Sequence, residues 1–368
     1  MKFTCDKYEL QQAAIICSRA SAAKSPVPAL EGILITAGDT LRLTGYDLKK
    51  AIYTDIDADV EIYGSIVVNA RLFGEMLRRM PDGKVMFEVD EKENVFLKCG
   101  KSEYKFMGIS TADYPEIPTI DSGSSMTIPM AVLKSMINQT IFAVADSDVR
   151  PIYTGELFEI NGDELTIVAV DGYRLAKRVE KLSGAKLRNS SFVVPGSSLT
   201  DIERICTEDE GDVTLNVGAK HISFTIGNTV VVTRRLEGEF MNYRKSIPTE
   251  FAHKIGVSRT DFITSIERVA LIISEKNNSP VRMTFNDGYI YLRCQNPVGI
   301  AEDECFCDGD GEGVEIGFNN KYMTDALKAS GKDKLILCIN SPSSPCIIKA
   351  EDESESFTYM ILPVRLKA

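Results

Sequence analysis

The sequence predicts an α+β fold made of three copies of one unit, with sheets on one side and helices on the other. Three observations carry this. Turn-linked strand pairs recur at a spacing of 124 residues, junctions from strand into helix recur beside them, and an amphipathic helix opens each copy. The length agrees, since 368/3 is about 123. The units are expected at 1–123, 124–248 and 249–368, with loose joins at "DSGSSMT" (121–127) and "SIPTEFAHK" (246–254), where Pro248 interrupts regular structure.

Each element follows from its pattern. The opening helices are "KYELQQAAIICSRA" (7–20), "PMAVLKSMINQTIFAVA" (129–145) and "TDFITSIERVALII" (260–273). The strand pairs are "LEGILITAGDTLRLTGYDL" (30–48) and "TGELFEINGDELTIVAVDG" (154–172), in which Gly38-Asp39 lies over Gly162-Asp163, Leu41 over Leu165 and Asp47 over Asp171. A third pair is "VRMTFNDGYIYLRCQ" (281–295). The junctions are "SIVVNARLFGEMLRRM" (65–80), "SFVVPGSSLTDIERIC" (191–206) and "VEIGFNNKYMTDALKA" (314–329), whose helical halves repeat apolar residues three and four apart, such as Leu72, Met76, Leu77 and Met80. Three such units in a row predict a curved array, whose ends close only by meeting a second array head to tail. The chain ends in "YMILPVRLKA", more apolar than a fraying terminus requires. It is expected either as a last strand or as the lining of a docking place.

Composition excludes several classes. No run approaches the ~18 apolar residues of a membrane span, and "MKFTCDKYELQQAA" turns polar too early for a signal peptide. A cytoplasmic protein without membrane association is expected. The nine cysteines are scattered, odd in number and without a CxxC pair, which fits reduced thiols. With only His221 and His253 in the chain, neither a zinc site nor a His-activated nucleophile finds its partners, and both histidines read as structural. No nucleotide-cradling glycine motif is present, and "DEKE" and "EDEGD" read as loop clusters. No cofactor, no metal and no catalysis are expected. Three copies of a non-catalytic unit suit a scaffold better than a multidomain enzyme, which would carry one distinct polar cluster. The net charge of −11 argues against coating nucleic acid but leaves room for one local basic surface.

"RPIYTGELFEI" (150–160), "LTIVAVDGYRLAKR" (165–178) and the tail Leu362 to Leu366 resemble the bacterial sliding clamp family, the beta subunit of DNA polymerase III. "KSPVPALEGILI" (24–35), "ADYPEIP" (112–118) and "EFMNYRKSIP" (239–248) extend the resemblance over the whole chain. The resemblance implies three domains of one topology per chain and two chains in a ring, with sheets outside and helices lining a hole for duplex DNA. It implies no enzymatic activity. The implied partners are double-stranded DNA, a second copy, the polymerase III catalytic subunit, the clamp loader and other proteins with a clamp-binding motif. A repeat-built scaffold that never encircles DNA is the alternative.

Lys24, Arg71, Arg78, Arg79, Lys134, Lys321 and Lys328 are the expected weak phosphate contacts, the three arginines seven and eight residues apart. Gly196 and Ser197 stand where relatives often place basic residues. The resemblance further implies a peptide cleft of Tyr153, Val170, Gly172, Tyr173, Arg174, Leu175, Met241, Lys245, Ser246, Met360, Leu362, Pro363, Val364, Arg365 and Leu366. Arg174 is expected to meet a partner's polar group there. Relatives often carry proline, arginine and valine at Met241, Lys245 and Ser246, which bears on peptide preference. The dimer contact is expected between Tyr104 and Phe106 of one chain and Ile272 and Ile273 of the other.

Overall fold

The computed structural model describes residues 1–120, 124–147, 149–182, 189–207, 210–274, 279–352 and 356–366. The join expected at 121–127, the "EDEGD" cluster and the charged run 351–355 lie partly outside the described residues.

One element order occurs three times, with one additional strand, β5 (Ala58–Ile62), in the first pass. The first pass runs β1 (Lys2–Asp6), α1 (Lys7–Ser18), β2 (Gly32–Ala37), β3 (Leu41–Tyr46), β4 (Lys50–Ile56), β5 (Ala58–Ile62), β6 (Gly64–Asn69), α2 (Ala70–Arg79), β7 (Lys84–Val89), β8 (Asn94–Cys99) and β9 (Ser102–Met107). The second runs β10 (Ser124–Pro129), α3 (Met130–Asn138), β11 (Gly155–Asn161), β12 (Glu164–Val170), β13 (Arg174–Lys181), β14 (Ser190–Pro195), α4 (Gly196–Ile205), β15 (Asp212–Val217), β16 (His221–Ile226) and β17 (Thr229–Arg234). The third runs β18 (His253–Ser258), α5 (Arg259–Ala270), β19 (Val281–Asn286), β20 (Tyr289–Asn296), β21 (Gly299–Asp308), β22 (Val314–Phe318), α6 (Asn320–Ala329), β23 (Lys334–Ile339), β24 (Cys346–Ala350) and β25 (Ser356–Ile361). Helix α3 is shorter than the periodicity of 129–145 predicts. It stops at Asn138, a short 3-10 turn follows at Ile141–Ala143, and the Thr140 hydroxyl between them caps the Met136 carbonyl at 2.8 Å.

The capping signals sit at matching places. Asp6 accepts the backbone N–H of Tyr8 at 2.8 Å, Asn69 that of Leu72 at 2.9 Å, and Asn319 that of Lys321 at 2.9 Å. Each satisfies a donor that a helix start would otherwise leave orphaned.

The chain forms two compact units. The first comprises Met1–Leu133 and Thr200–Arg235, the second Lys134–Leu199 and Leu236–Ala368. Strand pairing explains this division. The first unit holds a five-stranded sheet in the order β5-β1-β7-β8-β9 and an eight-stranded sheet in the order β10-β15-β16-β17-β4-β3-β2-β6. Repeat one thus joins repeat two through β4 and β17, antiparallel, with Thr54 opposite Thr229. The second unit holds one twelve-stranded sheet, in which β13 pairs with β25, Arg174 opposite Ile361.

Packing follows the sequence pattern. In β8, Val95, Leu97 and Cys99 turn inward while Lys98 stays exposed. Phe3, Phe73 and Phe87 meet at the centre of the first core, Phe3 stacked on Phe87 at 4.9 Å. Each such fully buried side chain is worth about 1.5–3 kcal/mol. Strand β12 lacks alternation because both its faces are covered: Val168 and Val170 join one apolar cluster and Ala169 another. One residue departs from this economy. Glu156, the second residue of β11, is fully buried, and neither carboxyl oxygen has a hydrogen-bond partner among the described residues. The Thr140 hydroxyl beside it gives its proton to the Met136 carbonyl. Burial pushes the Glu156 carboxyl up to about 8.

Candidate docking cleft and nucleic-acid interface

The tail is decided by the second unit. Ser356–Ile361 is the last strand, and a central one, held between β13 and β24. Met360 and Ile361 are buried. Past the strand, the Leu362 N–H donates to the Tyr173 carbonyl at 2.9 Å, and the Val364 N–H donates to the Gly317 carbonyl at 2.7 Å. A Cβ on Gly317 would lie 2.5 Å from Leu366 Cδ2, so only glycine lets the tail lie that close.

Six of the expected cleft residues belong to one apolar cluster. Val170, Leu175 and Met360 form its buried floor, and Tyr153, Met241 and Leu362 lie partly open at its surface. Sequence reasoning missed further members, including Ile152, Phe240, Ile247 and Phe251. Tyr153 meets Phe240 edge to face at 5.4 Å. The signal was present: "EFMNYRKSIPTEF" places apolar residues between its charges.

The other expected members are not part of this apolar cluster. The Val364 backbone bridges to Gly317 of β22 and Leu366 packs beside it, while the side chains of Val364 and Arg365 are exposed. Lys245 is exposed and Ser246 half-buried around a 3-10 turn whose buried residue is Tyr243. Its hydroxyl donates to Glu159 at 2.5 Å, and burial, with that bond, raises its pKa. Gly172 takes φ +94 in the tight turn from β12 to β13, a left-handed backbone that glycine adopts without strain. Tyr173 leaves that turn to stack on Tyr322. Pro363 is half-buried.

Arg174 is held inside the unit. It is 7% exposed, its Nε donates to Asp171 at 2.9 Å, and its Nη1 donates to Asp325 at 2.7 Å. Its guanidinium also lies over the Tyr322 ring at 4.6 Å. The arginine expected to greet a partner is thus an internal anchor, because two carboxylates and a ring already satisfy it.

The expected phosphate-facing cations are mostly exposed: Lys24, Arg71, Arg78 and Arg79 in the first unit, Lys321 and Lys328 in the second, with Lys134 half-buried. Arg71, Arg78 and Arg79 all lie on α2, where Glu75 pairs with Arg78 at 2.6 Å and Arg79 at 3.6 Å. Lys328 pairs with Glu267 at 2.8 Å. These pairs are exposed and weak, so the cations remain free to exchange partners. Gly196 has a packing reason of its own, since a Cβ there would lie 3.1 Å from the Thr154 carbonyl oxygen. Tyr104 and Phe106 on β9 are half-buried against the first core, and Ile272 and Ile273 half-buried against that of the second unit. Among the described residues no cluster of His, Cys, Asp and Glu could hold a metal ion, and no helix is long and apolar enough to cross a membrane.

Comparison with known proteins matches this architecture. Family models of the DNA polymerase III beta subunit match in chain order: the N-terminal domain at residues 1–118, the central domain at 127–242 and the C-terminal domain at 244–365. A Bacillus subtilis protein named beta sliding clamp is 31% identical, with 99% of this chain and all of that protein covered. The crystal structure of the Bacillus subtilis DNA polymerase sliding clamp aligns over 100% of both chains with a TM-score of 0.94 and 30% identity. That of a DNA polymerase III beta subunit from Eubacterium rectale aligns over 99% of both with a TM-score of 0.93 and 32% identity. With the repeated topology and all three domain models in register, the chain belongs to the DNA polymerase III beta subunit family.

Proposed function

We propose that this chain is a DNA sliding clamp: two copies close head to tail into a ring around duplex DNA and tether the replicative polymerase to it. The observation that carries this is an incomplete third joint. β4 pairs with β17 and β13 pairs with β25, and by the same element order β21 is due to pair with β9. Yet among the described residues β9 is a sheet edge, and β21 beyond its Asp308 end has only β20 beside it. Open edges invite a second chain. They match in character: Phe306 is 90% and Met107 66% exposed, and the exposed Lys101 and Lys105 would face the exposed Glu302 and Glu304. Tyr104 and Phe106 would meet Ile272 and Ile273 at this seam. Domains 1–123, 124–248 and 249–368 then repeat around the ring.

A ring holds DNA by topology and does not need tight contacts, which agrees with a net charge of −11. The exposed cations centre the duplex, and the chain contributes no catalysis. Loaded on closed circular DNA, the protein is expected to persist in salt that abolishes electrostatic binding, and to leave once the circle is cut. Salt-sensitive loss from intact circles, as fast as from linear DNA, would instead support a scaffold that does not encircle.

The apolar cluster around Leu175, Met360 and Leu362 is the docking place for short motifs of the polymerase, the clamp loader and other clamp-binding proteins. Leu362→Ala removes an open edge of it without touching the buried floor. Affinity for a Gln-x-x-Leu-Phe-type peptide, read by fluorescence polarisation, is expected to fall about 30-fold, the equivalent of ~2 kcal/mol at a hot spot. Unchanged affinity in a folded variant would place docking elsewhere.

A further inference from the structure

Both joints within the chain carry the same polar lock. In the first, the Asp47 carboxylate accepts the N–H groups of Lys49 at 2.9 Å and Lys50 at 2.8 Å, closing a tight turn. Lys50, the first residue of β4, then pairs with Asp201, the sixth residue of α4. In the second, Asp171 accepts the N–H groups of Tyr173 at 2.8 Å and Arg174 at 2.9 Å. Arg174, the first residue of β13, pairs with Asp325, the sixth residue of α6. Each cation stands 151 residues from its acid, and both pairs are largely shielded from water.

The third repeat builds the same turn. Asn296 accepts the N–H groups of Val298 at 2.9 Å and Gly299 at 3.3 Å, and Gly299 is the first residue of β21. The sixth residue of the remaining helix, α2, is Glu75. The acid is present, but glycine occupies the place of the cation. Leu271, where the repeat of α1 in α5 puts the counterpart of Arg19, supplies none either, whereas Arg19 reaches Asp201 at 3.8 Å in the first joint. Within its own chain, Glu75 is held by Arg78 and Arg79 of the same helix.

We propose that the seam between two copies lacks the cation–carboxylate lock of the two joints within the chain, and that Gly299 thereby sets how readily the ring opens. This rests on the head-to-tail pairing proposed above. A closed ring has to open to admit DNA, and a seam without the lock opens while both in-chain joints hold.

Gly299→Lys and Gly299→Arg test it. A Cβ at Gly299 meets nothing within 4 Å, so the folded chain has room for either side chain. Dimer dissociation on dilution, followed by sedimentation, is expected to weaken about tenfold for both variants, as for a favourable charge pair at an interface. Release from closed circular DNA is expected to slow in step. Adding Glu75→Gln to either variant is expected to abolish the gain. A dimer no tighter than the parent, or a gain that survives Glu75→Gln, would overturn the lock alone. A parent chain that stays monomeric at every concentration would overturn the head-to-tail pairing and the lock together.

Discussion

Replacing Glu156 with methionine is expected to stabilise the second unit by about 3 kcal/mol at pH 7. The carboxyl titrates near 8 in the folded chain against an ordinary value of 4.5, because burial disfavours its charged form. A group whose pKa is raised on folding favours the folded state only while it stays protonated in both states. The parent is therefore most favoured, as far as this group is concerned, below pH 4.5. It loses that advantage as pH rises, until the folded carboxyl itself ionises near 8. Methionine keeps an unbranched side chain of similar size and has nothing to ionise. The stability difference between variant and parent, from denaturant unfolding at several pH values, should widen from pH 4.5 to about 8 and then level off. A difference that does not change with pH would mean that the carboxyl finds compensation on folding.

Arg174→Ala is expected to destabilise the same unit by about 3 kcal/mol, the lower end for breaking a buried ion pair, since the Asp325 side chain keeps 29% of its exposure. The loss comes from leaving Asp171 and Asp325 without their shared cation, and from removing the guanidinium from the Tyr322 ring. Adding Asp325→Asn should recover about 1 kcal/mol or more of it, the mark of coupled neighbours. Lys50→Ala, at the matching place in the first unit, is expected to cost less, because Arg19 still approaches Asp201 at 3.8 Å. Equal losses in the Arg174 single and double variants would show that the arginine acts through ring packing alone. The same result bears on docking. A peptide-binding defect in Arg174→Ala would report a loosened unit rather than a lost contact.

The sequence by itself determined the number of repeats, their order and most of their elements, because periodicity, caps and turn residues act within a few positions. Asp47 and Asp171 close their turns through their own neighbours' N–H groups, so the offset of 124 was legible without a fold. Helix α1 begins beside its Asp6 cap for the same local reason. Val170, Leu175, Met360 and Leu362 could be named together only through the family resemblance, since nothing in their spacing says that β13 lies against β25. What the tertiary structure alone decided was partnership. It made the tail a central strand, by placing β24 and β13 on its two sides. It turned Arg174 inward, by bringing Asp325 from 151 residues away to within 2.7 Å. It also laid the tail along β22, the Val364 backbone bridging to Gly317 and Leu366 packing beside it. Such choices depend on which surfaces meet across long loops, and a side chain's neighbours there are set by the packing of whole sheets rather than by the residues beside it in the chain.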